Sequence, residues 1–382
     1  MNKDVLLVSF SAFFADLGYQ AALALFPIFL VTTLSAPVSY FGYANAFAFG
    51  IGAFFGYLGG IMSDRFNDKY VAILGNALIP LLSLMGLVSS VTVAVLLFAG
   101  GWWARNFRTP SRRNMLVSAS TESDRGKAFG FLHMLDIGGG MLSVVMLLTL
   151  IYIGISYRNI LLFTIIPLAI STILLFFTSE TKRGDLKAKL NKARNSKRIS
   201  SSTYKGIIMA TALYGFSSFS LGFPILTIAQ KSGSFLGIGS YGVYLGVSSL
   251  VGYYRGSRKL NQVKALGILG YILSGLGSFV LALAYLTNQS VIVMYSAVAI
   301  MGFALGVIET LEPTLISFIK DIKNLGKGMG SLTASRSFGI FFANVIMGIL
   351  YVISPFYSYS YAAIVSIIAG LIVLYSGSRF VT

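Results

Sequence analysis

The sequence predicts an all-α polytopic membrane protein of twelve transmembrane helices, arranged as two pseudo-symmetric six-helix bundles. Three observations predict it: an apolar composition, twelve apolar stretches of spanning length, and an echo of the first half in the second. Of 382 residues, 56% are hydrophobic, 11% are charged and 41 are glycine. Soluble domains are about 45–50% apolar with glycine counted in, and about 25% charged. So much apolar side chain cannot be hidden in a water-soluble globule of this size, which excludes a soluble enzyme and a disordered chain. Cysteine is absent, which excludes a disulfide framework, a zinc–thiolate site and an iron–sulfur cluster.

A membrane helix needs about 20 mostly apolar residues. In the first half such stretches run over Val5–Thr32, Val38–Met62, Tyr70–Val88, Val93–Arg113, Ala128–Ile153 and Asn159–Phe177. In the second half they run over Gly206–Gln230, Leu236–Tyr254, Ala265–Leu286, Val291–Phe318, Met329–Ile353 and Tyr359–Ser376. The first stretch does not read as a cleaved signal peptide: it is too long, carries Asp16 and Gln20, and is followed at once by another span. The longest polar stretch, Ser179–Tyr204, holds eight Lys or Arg. The expected organisation is therefore an N-terminal bundle over residues 1–178, a basic cytoplasmic linker over 179–204, and a C-terminal bundle over 205–382. Phe26-Pro27-Ile28-Phe29 in the first span matches Phe223-Pro224-Ile225-Leu226 in the seventh. Arg125-Gly126-Lys127 matches Lys327-Gly328-Met329. Both offsets are about 200 residues, as one duplicated unit requires. Two similar six-helix halves are the architecture of a rocking transporter with a midplane site between halves.

The net charge of +17 has to be read by position. Odd-numbered junctions carry only Arg158 and Lys231, while Arg105 and Arg336 lie inside spans. The remaining 25 of the 29 basic residues fall on the even-numbered side, with both termini. Basic loops mark the cytoplasmic face, so both termini are expected in the cytoplasm of a cell-membrane protein. The expected partner of this charge is the anionic lipid surface of the bilayer, not nucleic acid.

Gly60-Ile61-Met62-Ser63-Asp64-Arg65 lies in the loop between the second and third spans. It resembles the G-x-x-x-D-R-x-G-R-K signature of the major facilitator superfamily, with Asn67 and Asp68 replacing Gly and Arg, and Lys69 retained. Gly60 allows close helix approach, and Asp64 can accept hydrogen bonds from a helix N-terminus across the half-interface. Asn67 is expected to preserve a left-handed turn, since Asn follows Gly in tolerance for it. The second-half counterpart, Gly252-Tyr253-Tyr254-Arg255-Gly256-Ser257-Arg258, lacks the Asp. Arg108-Thr109-Pro110-Ser111-Arg112, Asp124-Arg125-Gly126-Lys127-Ala128-Phe129-Gly130 and Leu135-Asp136 resemble a prokaryotic branch with R-T-x-P-R, R-G-x-A-F-G and L-D-x-x-G segments. In that branch an acidic residue and a Pro stand in the first span, as Asp16 and Pro27 do, and an acidic residue stands in the tenth, as Glu309 does. Gln20 replaces a usual Glu, Pro110 stands one residue early, Arg113 replaces a common Asp, and the Pro after Asp136 is missing. The resemblance implies helices one, four, seven and ten around a central cavity.

Charged side chains in hydrocarbon cost at least about 2.5–3.5 kcal/mol at a helix centre, so they need partners or a water-filled cavity. Asp16, Arg105, Asp136, Glu309 and Arg336 lie inside spans. Asp16 and Gln20 share a helix face, as do Glu309 and Glu312, and Arg105, Arg108 and Arg112 form one stripe. The expected pairings are Arg105 or Arg108 with Asp16 or Asp136, and Glu309 or Glu312 with Arg336. Asp16, Gln20, Arg105, Asp136, Glu309, Glu312 and Arg336 are the candidates for proton coupling or substrate binding. Burial favours a neutral carboxyl and a neighbouring Arg the ionised one, so a site between the two can titrate. The structural alternative is that the pairs hold helices in register. Gly60, Asp64, Arg65, Lys69, Arg108, Arg112, Arg125 and Gly126 are the candidates for gating or conformational switching. His133, the lone histidine, is expected as a hydrogen-bond neighbour of Asp136. Trp102 and Trp103 read as helix packing before cavity lining. Tyr19, Tyr43, Tyr214 and Tyr241 could offer hydroxyls to a cargo. Glycine runs such as Gly52-x-x-x-Gly56-x-x-x-Gly60 and Gly138-Gly139-Gly140 read as close helix packing.

No P-loop, H-E-x-x-H or nucleophile-elbow pattern with partners occurs. Neither an enzyme nor an ATP-driven pump is expected, and no cofactor or metal centre. The expected function is secondary active transport of a small molecule by alternating access, coupled to protons, with export of a small organic or amphiphilic compound as the preferred direction and a monomer as the working unit. A carrier for a metal cation or charged nutrient is the alternative, and a non-transporting membrane sensor the alternative from another class.

Overall fold

A computed structural model describes residues 2–36, 39–121, 123–180, 201–217, 222–256, 261–318 and 325–377. Most of the expected linker, 181–200, and Arg258 of the second-half motif lie outside these residues. Among the described residues there is no strand. Hydrocarbon cannot bond to backbone N–H and C=O groups, so an apolar span must satisfy them within itself, which a helix does.

The first half holds α1 (Lys3–Ile28), extended by one π-helical turn, α2 (Ser39–Arg65), α3 (Asp68–Leu78), which tightens into a 3-10 segment over Ile79–Leu87, α4 (Val91–Ala119), α5 (Arg125–Tyr152), α6 (Tyr157–Phe163) and α7 (Ile165–Phe176). The second half holds α8 (Ser201–Ser217), α9 (Gly222–Ser232), α10 (Ser234–Gly256), α11 (Gln262–Ala265) with a π segment over Leu266–Ile272, α12 (Leu273–Leu286), α13 (Val291–Ile316), α14 (Leu325–Ile353) and α15 (Pro355–Gly377). Each of the twelve predicted spans falls on one helix or on consecutive helical pieces. Among the described residues nine helices or joined pieces are long and apolar enough to cross a membrane. The fourth span is not one of them, because its interior carries Arg105, Arg108, Arg112 and Arg113. The seventh span falls on α8 and α9, with 218–221 between them outside the described residues, and the eighth falls on α10.

Where loops are short, helix starts are capped by side chains. Ser90 Oγ accepts from Val93 N–H and Ser156 Oγ from Asn159 N–H. Gly154, at φ +82°, makes the turn after α5 that a side chain would strain.

The chain groups into two compact units. One comprises Met1–Ala128, Leu135–Ser196 and Asp321–Ala334, and the other Phe129–Met134, Lys197–Lys320 and Ser335–Thr382. Each unit repeats one internal contact at the offset of the sequence echo. In the first, a Cβ on Gly139 of α5 would come 2.2 Å from the Phe13 carbonyl oxygen of α1. In the second, a Cβ on Gly339 of α14 would come 2.2 Å from the Ala212 carbonyl oxygen of α8. Small residues bring backbones together where lipid supplies no hydrophobic drive for association.

Candidate functional site

The first unit gathers its charges where α1, α4 and α5 meet. Arg112 forms a bidentate pair with Asp136, Nη1 to Oδ1 at 3.0 Å and Nη2 to Oδ2 at 3.1 Å. Asp136 thus takes Arg112 and not Arg105 or Arg108, the partners expected from sequence. The three arginines lie on one stripe yet diverge. Arg108 is fully buried and donates from Nη1 to Asn76 Oδ1 of α3. Asn76 passes the network on, donating to Ser171 Oγ at 3.0 Å and Thr172 Oγ1 at 2.8 Å of α7. Arg105 donates from Nε and Nη2 to Tyr19 Oη at 3.4 and 3.3 Å, and from Nη1 to Asn106 Oδ1 at 3.3 Å. Its guanidinium carbon lies 5.0 Å from the Trp102 ring centre and 5.4 Å from that of Tyr19.

Asp16 differs from Asp136. It is 1% exposed, its Oδ2 accepts from Gln20 Nε2 at 3.5 Å, and its buried Oδ1 has no hydrogen-bond partner. Its charged neighbours are Asp136, Arg105 and Arg112.

The second unit builds its cluster from α13, α14, α8 and the π segment. Arg336 pairs with both Glu309 and Glu312. Glu312 is fully buried, and its Oε1 accepts from Thr211 Oγ1 at 3.0 Å and from Tyr271 Oη. Arg336 also faces the Tyr214 ring at 5.7 Å. Arg112–Asp136 and Glu312–Arg336 occupy positions 200 residues apart, with the charges exchanged between helices. The duplicated scaffold keeps a pair in each unit and reverses its polarity. Each of the two inner helices carries a proline beside its charges, Pro110 in α4 and Pro313 in α13. Proline removes an N–H, which leaves the carbonyls of Asn106 and Glu309 without their ordinary helical donors.

Of the candidates for gating, Gly60, Asp64 and Arg65 lie at the end of α2. Asp64 Oδ1 accepts from Gly326 N–H at 2.8 Å and Oδ2 from Lys327 N–H at 2.7 Å, the free donors of the first turn of α14. A Cβ on Gly60 would meet the Gly326 carbonyl oxygen at 2.4 Å, so this approach requires glycine. Lys69 donates to the carbonyls of Phe176 and Thr178 at 2.8 and 2.7 Å, closing the end of α7. Arg65 ends α2 and is exposed, while Arg125 and Gly126 are buried at the start of α5. The left-handed turn expected at Asn67 is absent: Asn67 sits at φ −71° and ψ 128° as the N-cap of α3, its side chain accepting from Lys69 N–H at 3.0 Å. A cap needs extended backbone and a side-chain acceptor, and Asn supplies both. His133 Nε2 lies 2.9 Å from Ser248 Oγ, a partner the reading beside Asp136 did not include.

Residues that a search for opposite charges passes over complete these clusters. Asn76, Thr211 and Tyr271 are neutral. Asp68 is buried and accepts from Ser63 and from Asn114 Nδ2. The only signal for them in the sequence is a polar residue within an apolar stretch. Among the described residues no group of three His, Asp or Glu side chains is arranged to hold a metal ion.

The sequence profile of the Major Facilitator Superfamily matches residues 8–319, and the chain belongs to that superfamily of transporters. It is therefore a multi-pass membrane protein and a transporter, not an enzyme. It is 24% identical over 387 residues to an uncharacterized MFS-type transporter of Methanocaldococcus jannaschii, covering 98% of this chain and 95% of the relative. The fold matches the human organic anion transporter MFSD10 (TETRAN) with a TM-score of 0.79 at 14% identity, over 97% of this chain and 99% of that one. It matches the proton:xylose symporter XylE, bound to 6-bromo-6-deoxy-D-glucose, with a TM-score of 0.76 at 15% identity, over 100% and 95%. At such identities the likeness establishes the fold.

Proposed function

We propose that this protein is a secondary active transporter that moves a small organic or amphiphilic solute by alternating access, coupled to protons, with Asp16 as the proton site. The observation that supports this is the contrast between two aspartates of one cluster. Asp136 has both oxygens bonded to Arg112, so its charge is answered in place. Asp16 is as deep in the bundle, yet no arginine bonds it: Oδ2 has a 3.5 Å contact with Gln20, Oδ1 has no donor within bonding distance, and its remaining polar neighbour is the neutral Tyr19 hydroxyl, which Arg105 also engages. An ionised carboxylate there lacks the bonds that repay desolvation, whereas the neutral acid does not need them. Solvent access that changes between conformers then loads and unloads a proton. Solved proteins of this fold include a carrier of organic anions and a sugar carrier driven by protons, which supports a small organic cargo.

Export against an inward proton gradient, the direction expected from the sequence, requires cargo and proton to exclude one another; joint binding gives uptake. A metal-cation carrier is less well supported, because Asp136, Glu309 and Glu312 are each engaged by an arginine. The proposed orientation has both termini in the cytoplasm, and the proposed working unit is a monomer of bundles 1–178 and 205–382. The test is proton movement in proteoliposomes across a panel of solutes between about pH 5 and 8. Solute-dependent proton movement by the native chain and its loss in Asp16→Asn is the expected result. Undiminished movement in Asp16→Asn overturns the assignment, and no pH-gradient-driven flux of any solute favours a sensor.

A further inference from the structure

Arg105 is unusual among the arginines of the first unit. Arg108 is spent on Asn76, and Arg112 is neutralised by Asp136. Arg105 forms no ion pair among the described residues: its hydrogen bonds go to Tyr19 Oη and Asn106 Oδ1, both neutral, and its flat face to the rings of Trp102 and Tyr19. A guanidinium within a membrane span and with no carboxylate in bonding distance keeps its full charge in a poor solvent for it. Two buried polar atoms in the same cluster also lack partners, Trp102 Nε1 and Asp16 Oδ1. The indole N–H can only donate, and the guanidinium can only donate. Arg105 has neutral acceptors only and the indole N–H has none, a pair of donors that an anion would match. Beside them, the Trp102 ring lies 4.7 Å from Phe49 and 6.5 Å from Tyr19, centre to centre, an aromatic wall for an apolar body.

We propose that the cargo carries an anionic group, such as a carboxylate, sulfonate or phosphonate, that binds Arg105 and the Trp102 indole N–H, and that it binds jointly with the proton on Asp16. The inference rests on the proton-site reading above and names the substrate class for that site. The reason for joint binding is electrostatic. Asp16 faces Tyr19 and Gln20 of its own helix, Arg105 and Arg112 of α4, and Asp136 of α5. α7 and the 3-10 segment, which also pack against α1, contain no titratable residue, and α6 brings Tyr157 and Arg158 only to the Phe29 end of α1, where Arg158 donates to the carbonyls of Gly86 and Val88. Arg112 is balanced by Asp136, so Arg105 is the cation whose charge Asp16 answers when ionised. An arriving anion would then crowd two negative charges around one guanidinium. Protonation of Asp16 removes that repulsion, and by reciprocity the bound anion holds the proton more tightly. A carrier that binds the two together moves them in one direction, so an inward proton gradient drives uptake.

The chain has two tryptophans, Trp102 and Trp103, so its fluorescence reports on this place. Trp103 bonds the Ala48 carbonyl instead, and Trp103→Phe leaves Trp102 as the sole reporter. The probes are arenesulfonates and alkanesulfonates, ionised at every pH used, with the matching sulfonamides as neutral controls, added to the full chain in nanodiscs. The expected result is a saturable change in Trp102 emission with a sulfonate and none with its sulfonamide. Affinity should weaken roughly tenfold per pH unit over the range in which Asp16 loses its proton. Arg105→Gln should weaken binding at least about tenfold with the melting temperature kept, and Arg105→Lys should recover part of it. Asp16→Asn should bind sulfonate with no pH dependence. No saturable response to any sulfonate, equal binding of the sulfonamides, or native affinity in Arg105→Gln overturns the anion site. Affinity that stays constant across the pH range over which native proton movement titrates overturns joint binding. Sulfonate binding unaffected by Arg105→Gln, together with proton movement lost in Asp16→Asn, sinks the anion site and leaves the proton site standing; proton movement retained in Asp16→Asn sinks the proton site itself.

Discussion

At the scale of single residues, the membrane makes each charge answer for itself. Arg112 is nearly sealed from solvent and has Asp136 as its bidentate partner. Removing one member of such a pair leaves a buried charge, at a cost of about 3–5 kcal/mol. Asp136→Asn is therefore expected to lower the melting temperature sharply. The second unit carries the same pair with its polarity reversed, so the charge-swapped double variant Arg112→Glu, Asp136→Arg is expected to regain part of that loss. A double variant no more stable than the worse single variant would contradict this. Asp64 accepts from two free N–H groups of α14. Charge-assisted bonds of this kind contribute about 1.5–3 kcal/mol, so Asp64→Ala should be destabilising by about that amount and Asp64→Asn by less, as thermal unfolding in detergent would read. These partners were only partly legible in the sequence. Opposite charges can be looked for along a chain; a neutral acceptor such as Asn76, or a backbone N–H such as that of Gly326, cannot be told from its many equivalents until the helices are placed.

At the scale of elements, small residues set the distances between helices. A methyl group on Gly139 would meet the Phe13 carbonyl oxygen at 2.2 Å, and backbone cannot swing aside as a side-chain end can. Overpacking costs typically about 1–3 kcal/mol, so Gly139→Ala is expected to lower stability by that order and its counterpart Gly339→Ala by a similar one. Thermal unfolding that leaves both unchanged would show that the helices can separate at no cost. The helices themselves were legible from hydropathy alone, because in lipid an apolar stretch of spanning length has one stable way to satisfy its backbone. What the pattern did not show is their internal change of winding, the 3-10 turns after α3 and the π segment before α12. The 3-10 turns have Pro80 at their start, a local mark, whereas the π segment over Leu266–Ile272 contains no proline.

At the scale of the whole molecule, orientation and coupling are the properties to measure. The chain lacks cysteine, so single cysteines report orientation without background. A cysteine replacing Thr121, in the fourth junction, is expected to react with an impermeant reagent only from the cytoplasmic side, and one replacing Ser156, in the fifth, only from the opposite side. The reverse pattern would invert the orientation drawn from the basic residues. The proton assignment makes an equally global claim, since Asp16→Asn must silence coupling while leaving the folded helices intact.

The sequence by itself determined the class of protein: twelve apolar stretches, a one-sided distribution of Lys and Arg, and a repeat of about 200 residues leave little choice of architecture, because the bilayer admits few. It also singled out the buried charges, since each is an exception to an apolar rule. Only the tertiary structure decided which charge meets which. It gave Arg112 and not Arg105 to Asp136, turned Asn67 into a helix cap, and left Trp102 Nε1 and Asp16 Oδ1 without partners beside an Arg105 bonded only to neutral groups. The physical reason is one of geometry. Hydropathy is a property of a segment and survives an error of one residue, whereas a change of one residue turns a helix face by about 100°, and a hydrogen bond allows no such error.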